Sequence, residues 1–267
     1  MNPKFCFLLL THETPLPGSL NMAVDEFLFR SLDEEPKTIL RFYQWTRPTA
    51  SLGFGQKIDL AVDTEFCARN GIDIVRRVTG GKLVLHHREV TYSVASNDVD
   101  AFTATLGGSY KRISQALVKG LEKMGLAASL AAKAPPFYAK GTMPCFSQPA
   151  RDEVEIGGLK IVGSAQKRTA GRFLQHGSIP LAHDETLLRA VSLYKAEGGI
   201  RMTSLGLELG REVPFVWAVE RLIAGFEEFF GVVPRPFVLT DADWSSVRAI
   251  EARKYAAPAW TFSACED

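Results

Sequence analysis

Arg76-Arg77-Val78-Thr79-Gly80-Gly81-Lys82 is the first run whose residue types could do chemistry. A double glycine behind a strand tolerates positive φ and lets backbone approach a ligand closely. Its free N–H groups can form a nest for an anion or a carbonyl, and Arg76, Arg77 and Lys82 add charge. The run lacks the Gly-Lys-Ser/Thr ending of a phosphate-binding P-loop and is not G-x-G-x-x-G. A plain Gly-Gly hairpin turn with solvated arginines fits the same spacing. Cys145 sits between Pro144 and Phe146 in a Pro-rich loop, with Lys140 and Arg151 near enough in sequence to favour a thiolate. An inert buried thiol is the competing reading. Lys160 follows the Gly157-Gly158 turn on a strand leading into Gly163-Ser164-Ala165-Gln166. It reads either as a positioning or proton-handling group or as a snorkelling edge-strand lysine. His86 and His87 point to opposite faces of a strand, so only one of them can enter a site. With His176 they find no third ligand at metal spacing, so no metal is expected.

The elements that must position these residues are legible in the hydrophobic pattern. Strands are expected over Phe5–Leu10, Thr38–Tyr43, Ala50–Phe54, Ile72–Val78, Lys82–His86, Thr91–Val94 and Phe173–Pro180. Val154–Ile156, Gly157-Gly158 and Leu159–Val162 read as a glycine-turn hairpin. Ser19 is the expected cap of a helix reaching about Leu32, and Asp59 opens another that stops at Asn70-Gly71. The clearest helix is Ser109–Gly125, with Ile113, Ala116, Leu117, Leu121 and Met124 on one stripe. A second runs from about Pro214 to Phe230 and closes at Gly231; a last one spans about Asp241–Lys254. A loop is expected over Ala134–Pro149. Strands come in clusters with helices between only some of them, which argues for a mixed α+β sheet.

Composition bounds the rest. The chain has 267 residues, 46% hydrophobic and 23% charged, with a net charge of +1. That is ordinary globular composition, and a charge near zero argues against nucleic acid as the main partner. Four widely spaced cysteines without a C-x-x-C pair fit neither a disulfide scaffold nor a zinc ribbon. The early apolar run is too short for a signal core, and none approaches the ~20 residues of a membrane helix. The expectation is a cytoplasmic protein with reduced thiols and no membrane partner. One domain over 1–267 is expected, with a smaller C-terminal lobe from about residue 207.

Taken together, Arg76 through His86, then Glu89 and Thr91-Tyr92-Ser93, resemble the signature of the lipoate-protein ligase and octanoyltransferase family. Asn21-Met22-Ala23-Val24-Asp25-Glu26 and Ser51-Leu52-Gly53 with Gln56 resemble that family's N-terminal motifs. Gly158 through Gln166 followed by Leu174-Gln175-His176-Gly177-Ser178 resemble its central strands, and Lys254-Tyr255 with Trp260 its C-terminal end. The resemblance covers essentially the whole chain.

It implies a mixed, mostly antiparallel sheet flanked by helices, of the kind shared by biotin ligases and class II aminoacyl-tRNA synthetases. It implies Cys145 and Lys160 as catalytic residues, the cysteine loop being that of the cysteine-dependent octanoyltransferases. Arg76, Thr79, Gly80, Gly81, His86, Gly163, Ser164, Ala165, His176 and Gly177 would bind substrate. The implied reaction moves an octanoyl group from acyl carrier protein through a Cys145 thioester to a lysine of a lipoyl-domain protein, glycine cleavage H protein or a 2-oxoacid dehydrogenase E2. Backbone N–H groups near Gly80-Gly81 or Gly163-Ser164 would steady the oxyanion, and losing one such donor typically costs about 2.7–4 kcal/mol. Burying seven methylene or methyl groups at about 0.8 kcal/mol each makes chain length a natural basis of selection. No cofactor is required on this reading. ATP and Mg²⁺ enter only under the alternative, a lipoate ligase working through an acyl-adenylate. Transfer between lipoyl domains, or silent acyl binding, is a further alternative.

Overall fold

The computed structural model describes residues 6–33, 35–132, 152–169, 171–194 and 200–263. Cys145, Cys265 and the loop expected over Ala134–Pro149 lie outside the described residues. The strands are β1 (Cys6–Thr11), β2 (Lys37–Tyr43), β3 (Thr49–Leu52), β4 (Asp73–Arg76), β5 (Val84–His86), β6 (Glu89–Ser96), β7 (Ala128–Leu130), β8 (Val154–Ile156), β9 (Leu159–Lys160), β10 (Gly163–Thr169), β11 (Arg172–Pro180) and β12 (Arg235–Pro236). The helices are α1 (Gly18–Arg30), α2 (Thr64–Arg69), α3 (Val99–Phe102), α4 (Leu106–Glu122), α5 (Glu185–Val191), α6 (Leu205–Leu209), α7 (Phe215–Phe230), α8 (Asp241–Ile250) and α9 (Pro258–Ser263).

The principal sheet has the order β10-β11-β6-β2-β1-β12. Its first four strands pair antiparallel and its last three parallel, so the sheet is mixed, as expected. Two small sheets, β4-β3-β5 and β7-β8-β9, complete it. Every residue of β6 is buried, because both faces of this central strand are covered. One face packs on α4 and α7 through Phe42, Tyr92, Val94, Ile113, Leu117 and Phe226. The other packs on α1 and the α8 region through Ile39, Ala95, Val24, Leu28, Val247 and Trp260. Among the described residues no helix is long and apolar enough to cross a membrane.

Several boundaries differ from the sequence expectation, each for a local reason. Pro17, not Ser19, precedes α1, and no side chain caps it; the Ser19 hydroxyl instead donates to Glu251 at 2.7 Å. The helix expected from Asp59 is a 3₁₀ turn, Ile58–Leu60, followed by α2, whose cap is Asp63 accepting from the Phe66 N–H. α4 begins a turn before Ser109, capped by Thr105. Gly107 and Gly108 disguised that turn, yet a Cβ at Gly108 would meet the Thr103 hydroxyl oxygen at 2.2 Å. The last long helix widens into a π-helical turn over Glu251–Tyr255 rather than continuing as α-helix.

α4 and α7 cross backbone to backbone. A Cβ on Gly225 would lie 2.1 Å from the Gly120 nitrogen and 2.5 Å from its Cα. In an isolated helix Gly→Ala gains about 1 kcal/mol. Here neither helix backbone can yield, so overpacking of about 1–3 kcal/mol should outweigh that gain. Gly225→Ala is therefore expected to lower the thermal midpoint; a raised midpoint would show that the helices do not touch there.

Candidate active site

A cleft opens between the principal sheet and the small β4-β3-β5 sheet, with about 340 Å³ of empty space when its solvent-open mouth is included. Met22, Val84, Gly163, Ala165 and Gly177 give it apolar or featureless walls, and Tyr43, Arg77, His86, Thr91, Ser164, His176 and Ser178 supply polar edges. The antiparallel register places Ser164 opposite Gly177 and Ala165 opposite His176, so both β10 and β11 reach it. A Cβ at Gly177 would meet the Tyr92 ring at 2.6 Å, so this wall must be glycine.

Beneath the cavity lies a fully buried carboxylate. Asp25 Oδ1 accepts from Arg41 Nη1 at 2.7 Å and from the Ser93 hydroxyl at 2.8 Å. Its Oδ2 accepts from the Tyr43 hydroxyl at 2.9 Å and from His176 Nδ1 at 3.0 Å. Burial works against its ionisation, but the Arg41 charge and the His176 hydrogen bond hold its carboxyl below the usual range. Burial pushes His176 down, so the ring is neutral near pH 7, with its proton on Nδ1 toward Asp25. His176 Nε2 then accepts from the Thr79 hydroxyl at 2.7 Å. Burial and Asp25 push the Tyr43 hydroxyl well up, so it remains a donor.

A second buried carboxylate, Glu89, closes the opposite edge. Its Oε1 accepts from His86 Nδ1 at 2.8 Å and from the Thr91 hydroxyl, and its Oε2 from the Ser178 hydroxyl at 2.6 Å. Burial again opposes ionisation, but His86 and the two hydroxyls hold the carboxyl below its ordinary value. Trp45 stacks on His86 with ring centres 4.0 Å apart, and its Nε1 donates to Thr91 Oγ1 at 2.7 Å. On the β10 side Ser164 and Tyr92 share a 2.7 Å hydrogen bond, and Gln175 donates to the Tyr92 hydroxyl at 2.9 Å. Burial raises that phenol to about 12.

The glycine loop is fastened by its arginines rather than flanked by solvated ones. Arg77 donates to the carbonyls of Ser51, Gly80 and Lys82 at 2.7–2.9 Å and lines the cavity. Arg76 lies behind the loop, donating to the carbonyls of Gly53, Phe54, Gln56, Trp260 and Thr261. Gly81 has φ +90°, and a Cβ on Gly53 would sit 2.1 Å from its carbonyl oxygen.

Of the residues expected from the sequence, His86, Gly163, Ser164, Ala165, His176 and Gly177 line the cavity together. Thr79 is one hydrogen bond behind it, and Gly81 adjoins Ala165. Arg76 and Gly80 are not on its wall. Lys160 is fully buried just ahead of β10, where its ammonium donates to Glu153 Oε1 at 2.7 Å. Cys145 lies outside the described residues. Sequence reasoning missed Asp25, Arg41, Tyr43, Glu89 and Glu153 as site groups. Asp25 and Arg41 had a signal: charges set inside apolar runs that bury everything around them.

With this geometry in hand the relatives can be read. The lipoyl protein ligase A/B catalytic domain matches residues 17–227, and the chain belongs to that family. The octanoyltransferase LipM of Geobacillus kaustophilus is 35% identical over 263 residues, 92% of this chain and 94% of that protein. Lipoate-protein ligase A bound with ATP superposes with a TM-score of 0.84 at 26% identity, covering 97% of this chain and 100% of that one. A bipartite lipoate protein ligase from Thermoplasma acidophilum, solved in work that also covers its E2 lipoyl domain, superposes with a TM-score of 0.77 at 25% identity, covering 98% of each chain.

Proposed function

We propose that this chain is an octanoyltransferase of protein lipoylation, acting in the cytoplasm on a lysine of a lipoyl-domain protein, with octanoyl-acyl carrier protein as donor. The likeness of nearly the whole chain to an octanoyltransferase carries this reading. The apolar slot between β10, β11 and the glycine loop supports it, because an eight-carbon chain has only methylene surface to offer until its carbonyl.

In the first step Cys145 attacks the donor thioester. A new carbon–sulfur bond forms, the donor's carbon–sulfur bond breaks, and the carrier thiol leaves with the proton. In the second step the acceptor amine attacks the octanoyl carbonyl. A carbon–nitrogen bond forms, the Cys145 thioester breaks, and the thiol is restored. Lys160, whose Nζ donates to Glu153 at 2.7 Å, is the group this reading assigns to the acyl carbonyl. A thioester is already activated, so neither ATP nor Mg²⁺ is required.

The likeness to lipoate-protein ligase A supports a second reading, ATP-dependent activation of free acid. One donor experiment separates them. Octanoyl-acyl carrier protein without nucleotide is expected to octanoylate a lipoyl domain, whereas free octanoate with ATP and Mg²⁺ is not. Pyrophosphate release with free acid, and no transfer from the carrier, would reverse the assignment.

A further inference from the structure

Arg76 is 1% exposed, and its guanidinium joins two parts of the chain that are far apart in sequence. Nη1 donates to the carbonyls of Gly53, Phe54 and Gln56 at 3.1, 2.9 and 2.7 Å. Nε donates to the carbonyls of Trp260 and Thr261 on α9, and Nη2 reaches Thr261 at 2.8 Å. Trp260 answers with its own Nε1, which donates to the Arg76 carbonyl at 2.8 Å. A planar fork of five N–H donors can hold so many carbonyls at once; an ammonium cannot. Two of these five acceptors belong to α9, so the buried charge is satisfied only while that helix stays docked.

The turn over residues 53–56 in turn sets the glycine loop that roofs the acyl cleft. The Phe54 N–H donates to the Thr79 carbonyl at 2.9 Å, and Gln56 Oε1 accepts from the Gly53 N–H at 2.9 Å. Gly53 leaves no room for a Cβ against the Gly81 carbonyl, and Gly81 itself adjoins Ala165 on the cleft wall. At its other end α9 is braced against α1. The Lys254 ammonium lies 3.9 Å from the centre of one Trp260 ring and donates to Glu26, and Tyr255 meets the indole edge-on. Lys254 and Tyr255 both come from the π-helical turn, a rare geometry found frequently at functional sites.

Resting on the proposed octanoyl transfer, we propose that Trp260 and Arg76 are positioning residues that set the height of the roof over the acyl slot, and through it the chain length the slot selects. Neither lines the cleft; Trp260 acts through Arg76, and Arg76 through the 53–56 turn and the glycine loop. A roof held at one height packs an eight-carbon chain closely. A slack roof forfeits part of that contact, because a gap of even 0.5–1 Å loses about a quarter to a half of each dispersion well. The same slackness admits a longer chain.

The test uses the full chain with octanoyl- and decanoyl-acyl carrier protein and a lipoyl domain. Trp260→Phe keeps a ring but loses the indole N–H, and should raise KM for the octanoyl donor about two- to tenfold, the range of one hydrogen bond. With kcat within about twofold, the loss is one of binding alone. The ratio of kcat/KM for decanoyl over octanoyl donor should rise by about threefold or more, as a less closely fitted pocket discriminates less. Arg76→Lys should do the same more strongly, and adding Trp260→Phe to it should change little, because the two act as one unit. Amide hydrogen exchange at residues 79–82 should quicken in each variant. Gly225→Ala, which disturbs the distant α4–α7 crossing, should leave both the ratio and that exchange unchanged. A fall in kcat with an unchanged ratio, additive effects of the two substitutions, or unchanged exchange at residues 79–82 would overturn the assignment. If Arg76→Lys does not fold, the Trp260→Phe ratio and exchange decide alone. An unsubstituted chain inert toward the octanoyl donor would overturn the octanoyltransferase reading, and exchange at residues 79–82 would still judge whether Trp260 holds the roof.

Discussion

Cys145→Ala is expected to abolish octanoyl transfer, by about 10³-fold or more, because it removes the enzyme atom that the proposed route bonds to the acyl group. The loss should fall on kcat rather than on binding of the donor. Intact-protein mass spectrometry checks the cause directly. Mixed with octanoyl-acyl carrier protein, the unsubstituted chain should gain one octanoyl group on Cys145, and the variant none. Two of the other thiols lie among the described residues, and one of them is sequestered. Cys67 is buried on α2, where burial and Asp63 push its thiol up to about 11. Cys6 is partly buried on β1 with Arg235 Nη2 at 3.2 Å. A variant that keeps more than a tenth of the activity, or an adduct on Cys6 or Cys67, would end the thioester route.

The largest loss of stability is expected from Asp25→Ala. Arg41 is fully buried, and removing its carboxylate leaves a guanidinium without its counter-charge while Tyr43, Ser93 and His176 each lose an acceptor. Breaking one side of such a pair costs about 3–5 kcal/mol. Urea unfolding measures it, and a cost below about 1 kcal/mol would mean that the pair is not buried. Asp25→Asn keeps the volume and should cost less. The pH dependence has a definite sign. The Asp25 pKa is lowered on folding, so its contribution is complete above the ordinary carboxylate range and is lost as pH falls below it.

The scaffold of this site was legible wherever pattern and punctuation agreed. The α4 stripe, the Gly231 stop of α7 and the Gly157-Gly158 hairpin all come out as read. Local periodicity carries such elements because each residue's neighbours along the chain are also its neighbours in the fold. The polar machinery was legible only in part, because its partners are distant in sequence. Nothing near Asp25 announces that Ser93 and His176 will share its oxygens, 68 and 151 residues away. Arg76 and Arg77 look alike in the sequence, yet strand alternation sends one behind the loop and the other to the cavity. Lys160 stands out after its glycine turn, but nothing in the sequence marks Glu153, seven residues earlier, as its buried partner.

Asp25 and Glu26 are neighbours on α1 that face opposite ways. Asp25 looks into the sheet, while Glu26 meets Tyr255 at 2.5 Å and Lys254 at 3.1 Å beside Trp260. The tyrosine partner of Glu26 lies 229 residues further along the chain, so a ribosome that has just made this helix must go on through most of the protein before that partner exists. Until then the buried acid has only Arg30, one turn along the same helix, to meet it, and the C-terminal cover over that end of α1 is missing. The enzyme therefore matures late in translation, and closing so long a loop makes that docking one of the slower events in its assembly.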